Sequence, residues 1–236
     1  MDDGAASFWA RSFAFGPPAA RLHLSVDEAF GAGLGGTCWG GGVLLAAHLS
    51  TGGLASALSE LQHAQQPLTA LELGAGVAGL PGLVAAASGA FARVVLAEAD
   101  ADVAEALEGN VAANAGVLAA DTELRILRTS WAALPGTLSA HLVLAADVAY
   151  GMESDSVAAA ALAEALLRCA APGAVILLAH ALRPLREEAA FLTALQARFR
   201  VSAVPGTDDA GAGLGVFRLK PRGECAPGET SEWDRP

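Results

Sequence analysis

Paired cysteines are missing from this chain. Its three, Cys38, Cys169 and Cys225, stand far apart with no C-x-x-C spacing, which points away from a disulfide framework and from a cysteine zinc site. Charge is also scarce, at 17% of residues, while 53% are hydrophobic, much of that share alanine; a chain this apolar is not disordered along its body. Of the two signs, positive is the scarcer: Lys220 is the one lysine, and 14 basic residues face 25 acidic ones for a net charge of −11. Such a surface repels a phosphate backbone and attracts a basic protein, so a protein substrate is an expected partner and nucleic acid is not. No long unbroken apolar run occurs either. Residues 29–59 are uncharged but interrupted by glycines and polar residues, and the opening Met-Asp-Asp-Gly has neither a basic nor an apolar region. The expectation is a soluble cytoplasmic protein, with the nucleus as an alternative, and with no membrane partner and no metal.

What is present is glycine, 27 residues of it, and the most informative cluster is Leu68-Thr-Ala-Leu-Glu72-Leu-Gly74-Ala-Gly76-Val-Ala-Gly79-Leu-Pro-Gly82. A short apolar run meets glycines and then an alanine-rich helical stretch, which reads as strand, tight turn and helix. Glycine at 74 and 76 lets the backbone turn sharply and approach a ligand, and Gly79 lets the helix pack close to its strand. In isolation the spacing fits a dinucleotide as well as any other nucleoside.

On either side of this turn, short apolar runs alternate with helical stretches, as in a parallel sheet covered on both faces. Strands are expected at 68–73, 93–98, 123–129, 141–147 and 174–181, and helices at 80–88, 102–113, 157–169 and 185–198. Runs 199–204 and 214–220 are joined by a glycine-rich connection too short for a crossover helix, so they should pair antiparallel. Upstream, Leu22, Leu24 and Val26 alternate on one face of a strand, and a helix from Cys38 should stop at Gly52-Gly53. Residues 1–20 read as an aromatic N-terminal arm without clear periodicity, 21–220 as a single domain, and 221–236 as a disordered tail.

Ligands in an open parallel sheet bind outside the carboxyl ends of the strands. Gly74–Gly76, Glu98, Trp131 and Asp147 all fall at such ends. Glu98 stands where a carboxylate could accept hydrogen bonds from both hydroxyls of a ribose, and Trp131 offers a flat surface to a purine. Asn110 and Asn114, four apart on a helix, share one face and read as surface or capping groups.

These segments together resemble the family-16 seven-strand protein-lysine methyltransferases. The resemblance is carried by the glycine turn, by Val-Val-Leu-Ala-Glu98-Ala-Asp, by Asn110-Val-Ala-Ala-Asn114, by Ser-Trp131 and by Leu-Val-Leu-Ala-Ala146-Asp147-Val-Ala-Tyr150. Gly-Gly-Thr-Cys-Trp39 is similar to the tryptophan segment that precedes the family's first strand. The Asn110 segment is closest to members that modify translation elongation factor 2. The resemblance implies a Rossmann-like α/β fold: a seven-stranded, mostly parallel sheet with helices on both faces and a C-terminal antiparallel hairpin. It also implies S-adenosyl-L-methionine as cofactor, contacted by Trp39, Glu72, Gly74, Ala75, Gly76, Glu98, Trp131 and Ala146. Asp147 and Tyr150 match the family's D-x-x-Y motif at the channel for the substrate lysine. Two departures stand out: Glu98 where the family more often has Asp, and Gly40-Gly-Gly where relatives carry bulkier helix formers. An NAD-dependent oxidoreductase and a non-catalytic binding module on the same fold remain the alternatives.

Overall fold

The computed structural model describes residues 8–64, 66–149, 156–181, 189–208 and 213–224. Chain order begins with β1 (Phe8–Phe15) and β2 (Leu22–Ala29), followed by α1 (Gly40–His48) and α2 (Leu54–Glu60). The alternation then runs β3 (Thr69–Leu73), α3 (Leu80–Ala87), β4 (Arg93–Glu98), α4 (Ala101–Ala113), β5 (Glu123–Arg128), β6 (Ala140–Ala146), α5 (Ser156–Arg168), β7 (Ala170–Ala181) and α6 (Ala189–Arg198). It closes with β8 (Phe199–Ala203) and β9 (Leu214–Pro221). Seven strands form one sheet in the order β5-β4-β3-β6-β7-β9-β8, while β1 and β2 form a separate antiparallel pair. The first five strands of the large sheet are parallel; β9 runs against both β7 and β8.

The period-two alternation of the strands decides which helices they meet. Ala70, Val94, Leu96, Leu142, Leu144, Val175 and Leu177 face α1 to α4 and the hairpin residues Phe15, Leu24 and Val26. Their neighbours Leu71, Leu73, Val95, Ala97, Val143, Ala145, Ile176 and Leu178 face α5 and α6, where Leu162, Leu166, Phe191 and Leu195 complete a second core. Register aligns Leu73 with Ala97 and Ala145. The residues that follow, Gly74, Glu98 and Ala146-Asp147, are therefore delivered to one edge, and the strand order reverses direction between β3 and β6.

The helix stop expected at Gly52-Gly53 is found: Thr51 and Gly52, the latter at φ 121°, leave the helical region in a kink and end the first helix, and a second, α2, begins at Leu54 and buries Leu54 and Ala57. The stretch Gly40–His63 is long and apolar enough by composition to cross a membrane, but the kink divides it and its apolar residues lie in the first core. Two other local expectations are corrected. Within the N-terminal arm, where the sequence shows no clear periodicity, residues 8–15 form a strand paired from Phe8↔Ala29 to Phe15↔Leu22. Its large side chains, Trp9, Arg11, Phe13 and Phe15, alternate with small ones, a pattern that Arg11 hides from an apolar count. Finally, β7 already begins at Ala170, ahead of Pro172-Gly173, with a register shift opposite Ala140 and Leu142. The expected start of the last crossover helix at 185–188 and most of the tail at 221–236 lie outside the described residues.

Asn110 and Asn114 are buried, and they act as a clamp instead of surface groups. Asn110 Oδ1 accepts from Asp27 N at 2.8 Å while its Nδ2 donates to Asp27 O at 3.0 Å and to Val77 O at 2.8 Å. Asn114 repeats the pattern on Ser25, accepting from its N at 2.9 Å and donating to its O at 2.7 Å. Two side chains four apart on α4 thus satisfy the free edge of β2 as a further strand would. Replacing Asn110 with Ala strands those buried backbone groups and is expected to cost about 2–4 kcal/mol in urea unfolding, whereas Val117→Ala on the surface should stay within about 0.5 kcal/mol.

Candidate active site

The glycine turn leaves β3 with φ of 66° at Gly74 and 58° at Gly76, the left-handed region that glycine enters without steric cost. The turn is held on both sides. Gly74 N and Ala75 N donate to Ala97 O at 2.9 and 3.1 Å, and Val77 N donates to Gly35 O at 3.0 Å. A Cβ at Gly74 would come within 2.8 Å of Val148 and collide with it, and one at Gly76 would press on Gly35 O at 3.2 Å.

Glu72 governs what the next helix can bind. Helix α3 has Gly79 as its N-cap, then Leu80, then Pro81, which has no N–H. The amide of Gly82 donates to Glu72 Oε2 at 2.7 Å. The carboxyl thus takes the anion position that a helix N-terminus usually offers to a phosphate. Glu72 is buried, and burial pushes its pKa up to about 8, against the Gly82 N–H, which lowers it, and with the Glu98 charge, which raises it further.

Glu98 folds back on the same turn. Its Oε2 accepts from Gly76 N at 3.0 Å, and its Oε1 accepts from Ala99 N at 2.8 Å and Asp100 N at 3.0 Å. Of the roughly four acceptor directions of a carboxylate, about one remains for a ligand. The extra methylene relative to Asp makes this return possible.

Asp147, at φ 49°, is the one non-glycine in the left-handed region among the described residues. Its N donates to Ala179 O at 3.0 Å, extending the β6–β7 ladder, and its Oδ2 accepts from Gly41 N at 2.6 Å. Gly41 lies in the first turn of α1, so the carboxylate caps that helix from a position 106 residues away in sequence. A Cβ at Gly41 would stand 2.6–2.9 Å from the Asp147 carboxylate atoms, which accounts for glycine where a better helix former would otherwise serve.

Trp39, the N-cap of α1, is 40% exposed and donates its Nε1–H to Leu34 O at 2.8 Å. The segment before it is fixed by the hairpin: Cys38 N donates to buried Glu28 Oε1 at 2.7 Å, and Arg11 Nη1 donates to Cys38 O at 3.0 Å and to Glu28 at 3.2 Å. Burial pushes the Cys38 thiol up to about 12, so it stays neutral and is no nucleophile.

The cleft brings together Trp39, Glu72, Gly74, Ala75, Gly76, Glu98, Ala146 and Asp147. It does not include Trp131 in its lining. That residue opens a short 3-10 turn after β5 and packs, half-buried, against the second core, 3.9 Å from where a Cβ on Gly74 would stand. Tyr150 lies outside the described residues. The opposite wall, Leu34, Gly35, Thr37 and Cys38, is not among the contacts the resemblance implies; in the sequence it shows only as the glycine-rich 31–36 connection and the Gly-Gly-Thr-Cys-Trp39 segment. Among the described lining residues there are three carboxylates and no Lys, Arg or His.

A family model described as lysine methyltransferase matches residues 19–198. No curated protein sequence matches the chain. Among solved structures, TrmN from Thermus thermophilus is similar with a TM-score of 0.51 at 22% identity, over 70% of this chain and 48% of that one. The ribosomal protein L11 methylase from Lactobacillus delbrueckii subsp. bulgaricus has a TM-score of 0.48 at 18% identity, over 70% of this chain and 76% of that one. The chain thus spans about half the length of TrmN, and that likeness concerns the fold.

Two outcomes follow from the geometry. Gly41→Ala should forfeit the usual helix gain and destabilise the wild-type chain, yet stabilise an Asp147→Ala chain by about 0.5–1 kcal/mol, a change of sign that a double-mutant cycle in urea would read. For Glu72, the native state retains a proton that the unfolded chain has lost between its ordinary value of 4.5 and about 8. Its contribution to stability is therefore complete below pH 4.5 and lost as pH rises to about 8. Denaturation curves across pH 5–8.5 should show this slope, and Glu72→Gln should flatten it.

Proposed function

The chain belongs to this lysine methyltransferase family, and from that premise we propose that it is an S-adenosylmethionine-dependent N-methyltransferase acting on a lysine side chain of a protein substrate. The observation that carries the reading is the closed N-terminus of α3. Dinucleotide enzymes of similar topology seat a pyrophosphate there; here Pro81 has no amide to offer and the Gly82 amide is taken by Glu72 at 2.7 Å. With Glu72 protonated below about pH 8 and no basic side chain among the described lining residues, the carboxylates left to carry charge in the cleft are Glu98 and Asp147, which suits a positively charged nucleoside and opposes a diphosphate.

The residues present fit such a cofactor. The Gly74–Gly76 backbone would approach the amino-acid portion, the free acceptor direction of Glu98 would take a ribose hydroxyl, and Trp39 and Ala146 would close the sides. S-adenosylmethionine, when bound, supplies the methyl group as a sulfonium for in-line displacement by an uncharged amine. The chain's own task is alignment and exclusion of water. A lysine of ordinary pKa ~10.4 brought to about 7 requires ~4.6 kcal/mol in favour of the neutral amine. Asp147 favours the ammonium form, so its role is capture and orientation of the incoming side chain, and loss of the proton follows from desolvation at the cleft mouth. The Gly41 amide holds the carboxylate in one direction for that purpose. In this reading Tyr150 shapes the channel, Trp131, beside Gly74, offers its flat face to the adenine, and the enzyme works in the cytoplasm on a protein with a basic surface.

Thermal unfolding in the presence of ligand tests the cofactor assignment. At 100 times its Kd, S-adenosylhomocysteine should add ~2.7 kcal/mol of stability, about 5–10 °C in Tm, while NAD leaves Tm unchanged; a shift with NAD alone would overturn the assignment. On the acceptor side, Asp147→Asn should lower kcat/KM for the protein substrate about 10- to 100-fold, mainly through KM. Unchanged kinetics would remove Asp147 from that role.

A further inference from the structure

Six large apolar side chains are exposed among the described residues, and four of them, Trp9, Phe30, Leu34 and Trp39, gather along one strip. Trp9, 66% exposed, meets Phe30 edge-on with ring centroids 6.1 Å apart. Two consecutive 3-10 turns, Phe30–Ala32 and Leu34–Gly36, carry the strip onward to Leu34, whose carbonyl accepts from the Trp39 ring. Leu34 and Trp39 belong to the rim of the cleft, and Phe30 borders a second groove of about 800 Å³ beside it. An apolar strip leading into a cleft, rimmed by charge, is the surface signature of a docking site.

The charge around it has one sign. Asp27 from β2 and Asp102 and Glu105 from α4 line the groove together with Phe30. Elsewhere on the described surface Glu60, Glu108, Glu123 and Glu164 are matched with arginines; no ion pair among the described residues uses these three. Asn110, whose side chain is committed to β2 and to Val77, fixes the floor of the groove. A second copy of a chain with net charge −11 is a poor occupant, and a phosphate backbone a worse one.

We propose that this strip and groove dock an extended basic segment of the substrate protein, with an apolar side chain against Phe30 and Trp9 and Lys or Arg side chains at Asp27, Asp102 and Glu105. The surface rests on the reading of the chain as a protein methyltransferase and deepens it. It places affinity for the substrate outside the cleft, so that the lysine entering past Trp39 need not itself supply the binding energy. Exposed aromatic faces add cation–π attraction to the same ligand chemistry.

The test uses the full chain and a fluorescein-labelled ten-residue peptide of alternating lysine and leucine, with a glutamate–leucine peptide of equal length as control, read by fluorescence anisotropy. The lysine peptide should bind, more weakly as salt rises. Trp9→Ser combined with Phe30→Ser should weaken it at least tenfold, and Asp102→Asn combined with Glu105→Gln should weaken it at least threefold and reduce its salt dependence. Glu60→Gln with Glu164→Gln, which removes the same charge far from the groove, should change it less than twofold. The Tm shift with S-adenosylhomocysteine should persist in every variant, which also verifies folding. Equal binding by all variants, equal binding of the glutamate peptide, or a wild-type dimer lost on Phe30→Ser would overturn the docking surface. Peptide binding that follows the expected pattern in a chain that S-adenosylhomocysteine does not stabilise would support the surface and contradict the reading of the cleft.

Discussion

The hydrogen bond from the Gly82 amide to the Glu72 carboxyl sets the terms for the rest of the site. It spans 2.7 Å between the end of β3 and the first turn of α3, inside the core, where the carboxyl is almost fully buried. Placing an acid there is unfavourable in itself, which is why its proton is held up to about pH 8. What the arrangement gains is a Gly82 amide already satisfied within the chain. A fold that commonly receives phosphate at this point thereby keeps the Gly82 amide from an anion, and the negative charge of Glu98 and Asp147 turns the cleft from a diphosphate towards a cation.

Two other long-range contacts give that cleft its walls. Asp147 reaches the amino end of α1, and the absence of a side chain at Gly41 is what lets it arrive. From the other side the β1–β2 hairpin fixes Cys38 through Glu28 and Arg11, and Trp39 follows from that placement. The hairpin is itself tied to α4 by Asn110 and Asn114. A change in the hairpin therefore travels to the cleft through hydrogen bonds that can be named one by one, and the same hairpin carries the apolar strip outside.

Much of the fold was legible because periodicity is a local property. The apolar runs at 93–98 and 141–147 announced β4 and β6, and their acidic ends announced one edge of the sheet. The partners of those acids were not legible. Nothing within a few residues of Gly41 explains a glycine in the first turn of a helix; the reason lies at Asp147, whereas nothing among the described residues requires glycine at 40 or 42. Asn110 and Asn114 show by spacing that they share a face, but only the packed structure shows that β2 is what they face. The same holds for Glu98, where the choice of Glu over Asp looked minor until its carboxylate was seen to spend three acceptor directions on its own backbone. Trp131 follows β5 in a short 3-10 turn that brings its ring beside Gly74, a neighbour distant in sequence that sequence order does not indicate.

Methyl transfer itself is the most direct test of the account. Purified full chain incubated with methyl-labelled S-adenosylmethionine and a cytosolic protein extract, followed by mass spectrometry of the labelled material, locates the acceptor atom. Label is expected on the ε-nitrogen of a lysine within a basic stretch of a protein. Label confined to nucleic acid, to a small molecule or to a side chain other than lysine, or no incorporation at all, would contradict it.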